Sequence, residues 1–454
     1  MQAQRLNLVL DSVLRLARRG AMSNALNLLT KLRPVDIAQI LSEIPQHDRE
    51  PLFDALVRHD LTKAAEAVSE METVRALTLL TTLTREEISR LLQELPSDDA
   101  ALLIAEMPEE TRDALLETMR AEESTDVQEL LGFADETAGR IMTPDYFALE
   151  EDVTVSEAIT ALQKRSEELE MVFYVYVVDL RNHLLGVVSL RELLLNPPST
   201  PLRKIMITDI IKVRTDTDQE EVARIVATYN LLAVPVVDEE NKLAGIITVD
   251  DVIDVMREEA TEDIYALAGV NAEDRVRGTA FNSARRRLPW LMLSLGAALL
   301  AVAIVQYYLD TLSKALWLAV LIPVVAAMGS AAATQTMTVV VRGIGLGEVS
   351  RETSRRVVVK EALVGLINGL TVGVVAFGVI WIWFSWKMAV VLGLTMLLSL
   401  FAACLLGALV PVALKQLRAD PAPASSVFVV TLTNVVTFFF YLGLATLLLR
   451  YLRP

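Results

Sequence analysis

Five long apolar stretches occupy the C-terminal part of this chain of 454 residues, and they constrain its fold more than any other feature. A helix needs about 20 mainly apolar residues to cross the hydrocarbon of a bilayer, and each stretch is long enough. The sequence therefore predicts an α transmembrane domain with five helices over 287–454. The predicted spans are about 288–309, 315–341, 358–384, 388–414 and 426–449.

The charge of the chain changes sign at the same place. Residues 1–284 contain 28 Lys and Arg against 53 Asp and Glu, whereas residues 285–454 contain 14 against 5. A basic membrane part attached to a strongly acidic remainder indicates a transporter whose cargo or regulator is a cation. The acidic remainder also argues against nucleic-acid binding. An enzyme is not predicted, because the sequence has neither a phosphate-binding loop nor a Ser/His/Asp set.

Lysine and arginine are distributed unevenly around the spans, and cytoplasmic loops carry the excess. Ten of these residues lie before span one, between spans two and three, or after span four. Four lie on the other side of the membrane. The sequence thus predicts a multi-pass protein of the bacterial inner (plasma) membrane, with cytoplasmic N-terminal domains and the C-terminus outside. The ten are Arg285, Arg286, Arg287, Arg342, Arg351, Arg355, Arg356, Lys360, Lys415 and Arg418, and the four are Lys314, Lys387, Arg450 and Arg453.

Two further features bear on processing and redox state. The N-terminus is amphipathic rather than a continuous apolar segment, so no signal peptide is predicted. The single Cys404 lies in span four, and an intrachain disulfide is therefore excluded.

Residues 1–135 predict an acidic, all-α superhelical domain. Apolar positions recur at helical spacing, and a similar phrase returns at 42–56, 93–107 and 105–119. Each copy places proline and then acidic residues before an apolar face, which suits the first turn of a helix. This pattern predicts a stack of short helices. The acidic residues are either cation ligands or only helix starts and solvated faces.

Over 138–257 the pattern changes to an α/β unit that occurs twice. Each unit reads as strand, helix, buried strand, turn, strand and a last helix that begins after Ser189 or Thr248. The motifs are Met142-Thr143-Pro144, the Val-Pro-Val-Val-Asp of 234–238 and the Gly-Ile-Ile-Thr-Val-Asp-Asp of 245–251. This segment resembles a tandem pair of CBS domains, regulatory modules that often bind adenine nucleotides. The alternative is a pair that only dimerises.

An acidic stripe follows the second unit. Asp251, Asp254, Glu258 and Glu262 are spaced by three, four and four residues, which places them on one helix face. Like charges so placed repel, and a divalent cation with oxygen ligands would neutralise them. The alternative is an exposed acidic face that holds no ion.

Together these parts resemble the MgtE family of magnesium channels over nearly the whole chain. The strongest motifs are Glu259-Ala260-Thr261-Glu262-Asp263, the linker over 258–286, and Asp420-Pro421-Ala422 with Ala424-Ser425. The resemblance implies a homodimer in membrane lipid, a pore along the dimer axis and a plug helix over 258–286. It also implies that Mg²⁺ is both transported and regulatory, and that ATP is a candidate ligand of the CBS pair.

The resemblance also implies the regulatory metal ligands. Asn230 stands at a position where the family has a sensor Asp, so one cation site is expected to be weakened. The carboxylates that match are Asp98 or Asp99, Asp218, Glu220, Asp251, Asp254, Glu259, Glu262 and Asp263.

The predicted pore departs from the family. In span two, Ser330 and Ala331 replace a Gly-Asn pair, and Cys404 replaces a common Asn of span four. Asn434 stands where the family has a pore Asp. The alternatives are that the small residues of span two only allow close packing, and that Asn434 is a satisfied interhelical amide. The predicted pore residues are Pro323, Gly329, Ser330, Thr334, Gln335, Thr431 and Asn434.

The sequence thus predicts a homodimeric divalent cation channel or transporter that Mg²⁺ closes. One alternative is a transporter of altered selectivity, for Co²⁺, Ni²⁺ or monovalent ions, and another is a non-conducting Mg²⁺ sensor. Glu361 is expected to pair with Lys360 or Arg356 rather than to bind cargo. The three histidines, His47, His59 and His183, show no metal-ligand spacing.

Overall fold

The structure is a computed structural model that describes residues 2–165, 172–270, 280–350, 352–417 and 421–451. The chain separates into two compact units, Met1–Met256 and Arg257–Pro454. The first unit contains the helical stack and both α/β modules, and the second contains the long apolar helices.

Short helices build the first part of the chain, as predicted. Proline precedes three of them, at Pro45, Pro96 and Pro108, and each is followed by carboxylates in the first turn. The helices are α1 (Gln2–Arg18), α2 (Met22–Leu29), α3 (Pro34–Glu43), α4 (Gln46–His59), α5 (Leu61–Ser69), α6 (Thr73–Leu80), α7 (Arg85–Leu92), α8 (Ser97–Ala105), α9 (Glu109–Leu116), α10 (Ala121–Gly132) and α11 (Ala138–Ile141).

Arginine side chains explain why the repeated phrase begins with proline. Arg49, four residues after Pro45, donates from Nε and Nη2 to the Ile44 carbonyl at 3.2 and 2.8 Å. Arg112, four residues after Pro108, donates to the Ala105 carbonyl at 3.1 Å. The last carbonyls of a helix lack partners within it. Each arginine therefore caps the preceding helix and fixes the turn between two helices of the stack.

The α/β region confirms the double pattern predicted for a CBS pair. In each module a short first strand pairs parallel with the second strand, which pairs antiparallel with the third. The first module comprises β1 (Ala148–Glu150), α12 (Val155–Arg165), β2 (Tyr174–Val178), β3 (Leu184–Ser189) and α13 (Leu190–Leu195); the second comprises β4 (Val213–Arg214), α14 (Gln219–Tyr229), β5 (Ala233–Val237), β6 (Leu243–Thr248) and α15 (Val249–Leu267).

Two equivalent turns join the modules. Asn182 and Asn241 both have φ near 66°, a left-handed conformation that asparagine tolerates. The Leu184 amide donates to the Asn241 carbonyl at 3.1 Å, and the Leu243 amide donates to the Asn182 carbonyl at 2.9 Å. This reciprocal pairing gives the two modules an approximate twofold relation.

Within the described residues, five helices of the second unit are long and apolar enough to cross a membrane. They match the five predicted spans, with ends that differ by a few residues, and a short helix, α17, follows the first. The helices are α16 (Ala280–Tyr307), α17 (Leu309–Lys314), α18 (Trp317–Gly345), α19 (Ser354–Trp383), α20 (Trp386–Gln416) and α21 (Pro421–Tyr451).

Glycines bring α19 and α20 into backbone contact. A Cβ at Gly369 would lie 2.7 Å from the Leu397 carbonyl oxygen, and one at Gly373 would lie 2.7 Å from the Gly393 carbonyl oxygen. Small residues at such interfaces allow membrane helices to pack closely. The glycines of α19 and α20 therefore have a packing role.

The linker differs from the single helix expected over 258–286. The last helix of the second module, α15, continues to Leu267, and Gly269 with φ of 68° follows it. A left-handed glycine is a common helix terminator because it carries no Cβ. A separate helix, α16, begins at Ala280. Residues 271–279 of the expected plug and Asp420 of the motif before span five lie outside the described residues.

The capping role predicts that two arginines of the same helical stack contribute differently to the free energy of unfolding. We expect Arg49→Ala to lower the free energy of unfolding by about 1–3 kcal/mol, because it leaves buried carbonyls without donors. Arg58→Ala is the control: Arg58 is 65% exposed and forms surface ion pairs with Asp54 and Glu87, typically worth below about 1 kcal/mol. Urea unfolding of a fragment of residues 1–270 measures both, and equal losses would contradict the capping role.

Candidate cation sites

A carboxylate with an unsatisfied oxygen lies at the start of α8. Asp98 occupies the first turn of that helix, and its Oδ1 is fully enclosed without a hydrogen-bond partner among the described residues. Its neighbour Asp99 accepts a hydrogen bond from the Ser69 hydroxyl. A buried acceptor without a partner is costly, so the first turn of α8 has an oxygen available to a ligand.

The fold brings this turn close to the first turn of α15. The negative charges of Asp99 and Asp251 act on the carboxyl of Asp98, and the charge of Asp99 also acts on the carboxyl of Asp251. The Thr248 hydroxyl donates to Asp251 Oδ2. Glu70, at the end of α5, experiences the charges of two further carboxylates of α15. We call this group the carboxylate cluster; it comprises Glu70, Asp98, Asp99, Asp250, Asp251 and Asp254.

Burial raises the pKa of three members of the cluster. Burial raises the pKa of Asp98 well above its usual range, and Asp251 and Asp99 raise it further. Burial likewise raises the pKa of Asp251 to about 6; its bond to Thr248 opposes the shift, and Asp250 and Asp99 add to it. Burial and the charges of Asp254 and Asp250 raise the pKa of Glu70. All three shifts mean that negative charge is unfavourable here without a cation.

The geometry fits a hydrated cation better than a fully coordinated one. Among the described residues, no three acidic, histidine or cysteine side chains converge closely enough to hold a bare metal ion. Mg²⁺ usually keeps several waters and binds through one or two carboxylates. The unpartnered Oδ1 of Asp98 and the neighbouring carboxylate of Asp251 are the candidate ligands of such an ion.

The other predicted ligands lie elsewhere or have structural roles. Asp218 is exposed and caps α14, since its Oδ1 accepts from the Glu220 amide at 2.8 Å. Asn230 ends the same helix with φ of 52°, a conformation that asparagine tolerates better than most residues. In the second unit, three ligands predicted at the plug lie on the later turns of α15, namely Glu259, Glu262 and Asp263.

A second acidic group was not predicted. Burial raises the pKa of Asp126, and Asp145 is the largest of the charges that raise it further. Burial also raises the pKa of Asp145, which Arg165 lowers in part. Asp126 is on α10 and Asp145 precedes β1, so only the folded chain shows that they are neighbours. Glu70 was missed for the same reason.

The second unit has an open groove of about 690 Å³ along one face of α18. Its residues recur at intervals of four and supply hydroxyl and amide groups but no carboxylate. Ser330 Oγ donates to Asn434 Oδ1 of α21 at 3.1 Å, which places Asn434 beside the groove. The residues that line the groove are Ser330, Ala331, Thr334, Gln335, Thr338 and Val339.

The groove contains part of the predicted pore. Ser330, Thr334 and Gln335 line it, and Thr338 and Val339 were not predicted. Gly329 is buried instead, where an added Cβ would lie 2.8 Å from Thr437 Oγ1. Thr431 Oγ1 donates to the Val427 carbonyl of its own helix at 2.5 Å, and Pro323 lies earlier in α18.

A very small cavity, of about 10 Å³, lies within the CBS pair. Among the described residues the hydroxyl of Tyr176, which lines it, has no hydrogen-bond partner. A volume of this size is near the limit for a single water molecule, and an adenine ring would require the cleft to open. The lining is apolar and aromatic: Phe147, Val172, Phe173, Tyr174, Tyr176, Ala233 and Ile246.

The raised pKa values predict how stability depends on pH. A carboxyl whose pKa is higher in the folded state keeps its proton there, so stability falls as the pH rises. For Asp251 the fall should run from about pH 4 to about pH 6 and amount to about 3 kcal/mol at most. We expect Asp251→Asn to reduce the measured fall, to which Asp98 and Glu70 also contribute, and Glu240→Gln, at an exposed turn, to leave it intact. Urea unfolding of residues 1–270 in chelator tests this, and an unchanged profile in Asp251→Asn would contradict the burial argument.

Comparison with known families assigns three parts of the chain. A family described as MgtE, divalent cation transporter, matches residues 322–444. The MgtE intracellular N domain matches 32–136, and the CBS domain matches 138–197 and 202–258.

Relatives extend the match across most of the chain. The magnesium transporter MgtE of Thermus thermophilus is 38% identical over 328 residues, 72% of this chain and 73% of that protein. The protein of the same name from Enterococcus faecalis is 36% identical over 332 residues, 73% of each.

Two solved structures resemble the N-terminal part. The soluble part of a magnesium transporter is 31% identical with a TM-score of 0.52, and covers 56% of this chain and 99% of that one. The cytosolic domain of the Mg²⁺ channel MgtE in complex with ATP is 35% identical with a TM-score of 0.51, and covers 54% and 99%.

Proposed function

The chain belongs to the MgtE family of divalent cation transporters, and on that basis we propose that it carries Mg²⁺ across a bacterial inner membrane and is closed by Mg²⁺ at the carboxylate cluster. The observation that carries this proposal is the enclosed Oδ1 of Asp98, which has no partner among the described residues and lies near Asp251. The relatives named as magnesium transporters support the cargo.

The proposed pathway is the groove of α18. Ser330, Thr334 and Gln335 offer oxygen atoms that accept hydrogen bonds from the waters around a cation, and Mg²⁺ gives up those waters reluctantly. The groove is open along one side of a single chain, so a second copy is the proposed partner that would close it into a pore. Homodimerisation therefore belongs to this proposal.

The proposed gate works by linkage. A cation that binds a compact arrangement of Asp98 and Asp251 better than a separated one shifts the population by that difference in affinity. When Mg²⁺ is scarce, the charged carboxylates repel and favour separation, and the pathway opens. Transport thus decreases as the internal Mg²⁺ concentration rises. We retain Asp218, Glu220, Glu259, Glu262 and Asp263 as proposed ligands of further regulatory ions.

The proposed topology follows from the charged residues beside the spans. With Arg285, Arg286 and Arg287 on the inner side of the first span, the N-terminal unit is cytoplasmic, and an odd number of spans places the C-terminus outside. ATP is the proposed ligand of the CBS pair, supported by the ATP complex of the related cytosolic domain. Its binding requires the small cavity beside Tyr176 to widen.

Because Asn434 carries no charge, we expect the pathway to select only weakly between doubly and singly charged ions. We expect Mg²⁺ flux in proteoliposomes of the wild type, and in Asn434→Asp we expect the ratio of Mg²⁺ to Na⁺ flux to rise about tenfold or more. An added carboxylate attracts a double charge twice as strongly as a single one, by several kcal/mol at short range. Asn368→Asp, an exposed amide of α19 away from the groove lining, is the control.

Flux in Asn434→Asp but none in the wild type would favour the non-conducting sensor. A wild type that prefers Co²⁺, Ni²⁺ or monovalent ions to Mg²⁺ would favour the transporter of altered selectivity.

The gating proposal predicts a change in sensitivity to internal Mg²⁺. We expect Asp98→Asn to raise the concentration that halves flux by about tenfold, since one lost charged ligand costs about 1.4 kcal/mol or more. Glu240→Gln, which removes an exposed carboxylate paired with Lys242, should leave it unchanged. Equal sensitivity in Asp98→Asn and the wild type would count against the cluster as the regulatory site.

A further inference from the structure

Glu361 is a buried carboxylate about two turns into α19. It is 5% exposed, and its Oε1 lies 3.1 Å from Lys360 Nζ, which confirms the expected ion pair. Its Oε2 accepts a hydrogen bond from Thr336 Oγ1 of α18 at 3.3 Å. An ionisable side chain within a membrane span is costly and usually functional. Glu361 is not among the groove's lining residues, so an effect on the cation must be indirect.

Thr336 connects Glu361 to the helix that forms the groove. The groove residues of α18 recur in pairs four positions apart and so share one face of the helix. Thr336, the residue after Gln335, lies on the other face, which is buried. A rotation of α18 about its axis would therefore move both faces together. The buried face contains Gly329, Ala332, Ala333, Thr336, Met337 and Val340.

The middle of this buried face consists of the small, apolar Gly329, Ala332 and Ala333, whose packing does little to fix an angle of rotation. Apolar burial is non-directional, whereas a hydrogen bond depends strongly on distance and angle. The contact at Thr336 is also tight: a Cβ at Gly407 of α20 would lie 2.7 Å from the Ala333 carbonyl oxygen and 3.1 Å from Thr336 Cβ. Helices α18, α19 and α20 thus meet at Thr336.

We propose that Glu361 is a positioning residue for the cation pathway. Through its hydrogen bond to Thr336 it fixes the rotation of α18, and thereby the direction in which Ser330, Thr334 and Gln335 face the groove. Lys360 pairs with the other carboxylate oxygen. The identity of the cation rests on the proposed function, whereas the positioning of the groove does not.

The first test reads the position of the groove without transport. A cysteine introduced as Thr334→Cys in the full chain, in nanodiscs, is labelled with a charged methanethiosulfonate reagent. The native Cys404 is 2% exposed but interacts with Thr336, so each variant without Thr334→Cys is labelled in parallel and supplies its own background. We expect Thr336→Val and Glu361→Ala to change the labelling rate by the same factor, and the double variant to change it no further. Thr336→Ser, which keeps the hydroxyl, should restore the original rate.

Thr395→Val is the matched control, since Thr395 is fully buried but donates to the Val391 carbonyl of its own helix at 2.7 Å. It should leave the labelling rate unchanged. A rate unaffected by Thr336→Val, an equal change in Thr395→Val, or additive effects in the double variant would each overturn the proposal.

The second test measures Mg²⁺ uptake in proteoliposomes. We expect the half-saturating concentration to rise about tenfold in Thr336→Val and Glu361→Ala, and to stay unchanged in Thr336→Ser and Thr395→Val. A purely structural role would lower only the amount of active protein and leave that concentration as it is. If the wild type carries no Mg²⁺, the proposed function fails, and the labelling rates still decide the role of Glu361.

Discussion

Repulsion between buried carboxylates is the interaction on which the account of the first unit depends. Asp98 and Asp251 belong to different parts of that unit, and burial raises the pKa of both. Two like charges about 4 Å apart repel by about 4 kcal/mol at the effective dielectric of a protein surface. Protonation, separation or a bound divalent cation can each remove that cost. The contact between the helical stack and the CBS pair is therefore conditional on the solution around it.

The membrane unit handles charge in the opposite way. Its groove offers hydroxyl and amide oxygens, and the bond between Ser330 and Asn434 joins two helices at its edge without a formal charge. A neutral lining favours an ion that keeps its water. The carboxylate of Glu361 lies behind the groove and is joined to α18 by its hydrogen bond from Thr336. In the proposed function, sensing by charge and conduction past neutral oxygens belong to different units of the chain.

Much of the fold was predictable because it follows from local patterns. Hydropathy located the five spans, and the double α/β pattern located the CBS pair, including helices that begin after Ser189 and Thr248. The cluster was not predictable as a group, because Glu70 carries no local signal and meets Asp254 and Asp250 only after folding. The pairing of Asp126 with Asp145 was missed for the same reason. The repeated proline phrase was visible, but the capping role of Arg49 was not, since it depends on where a long side chain reaches.

The central claim is that Mg²⁺ replaces protons and relieves repulsion at Asp98 and Asp251. Calorimetric titration of residues 1–270 with Mg²⁺, repeated in two buffers of different ionisation enthalpy, measures the protons released on binding. The account predicts release near pH 6, where the Asp251 carboxyl is partly protonated, and a smaller release in the double variant Asp98→Asn, Asp251→Asn. Binding that releases no protons at pH 6, or the same release in the double variant, would contradict it.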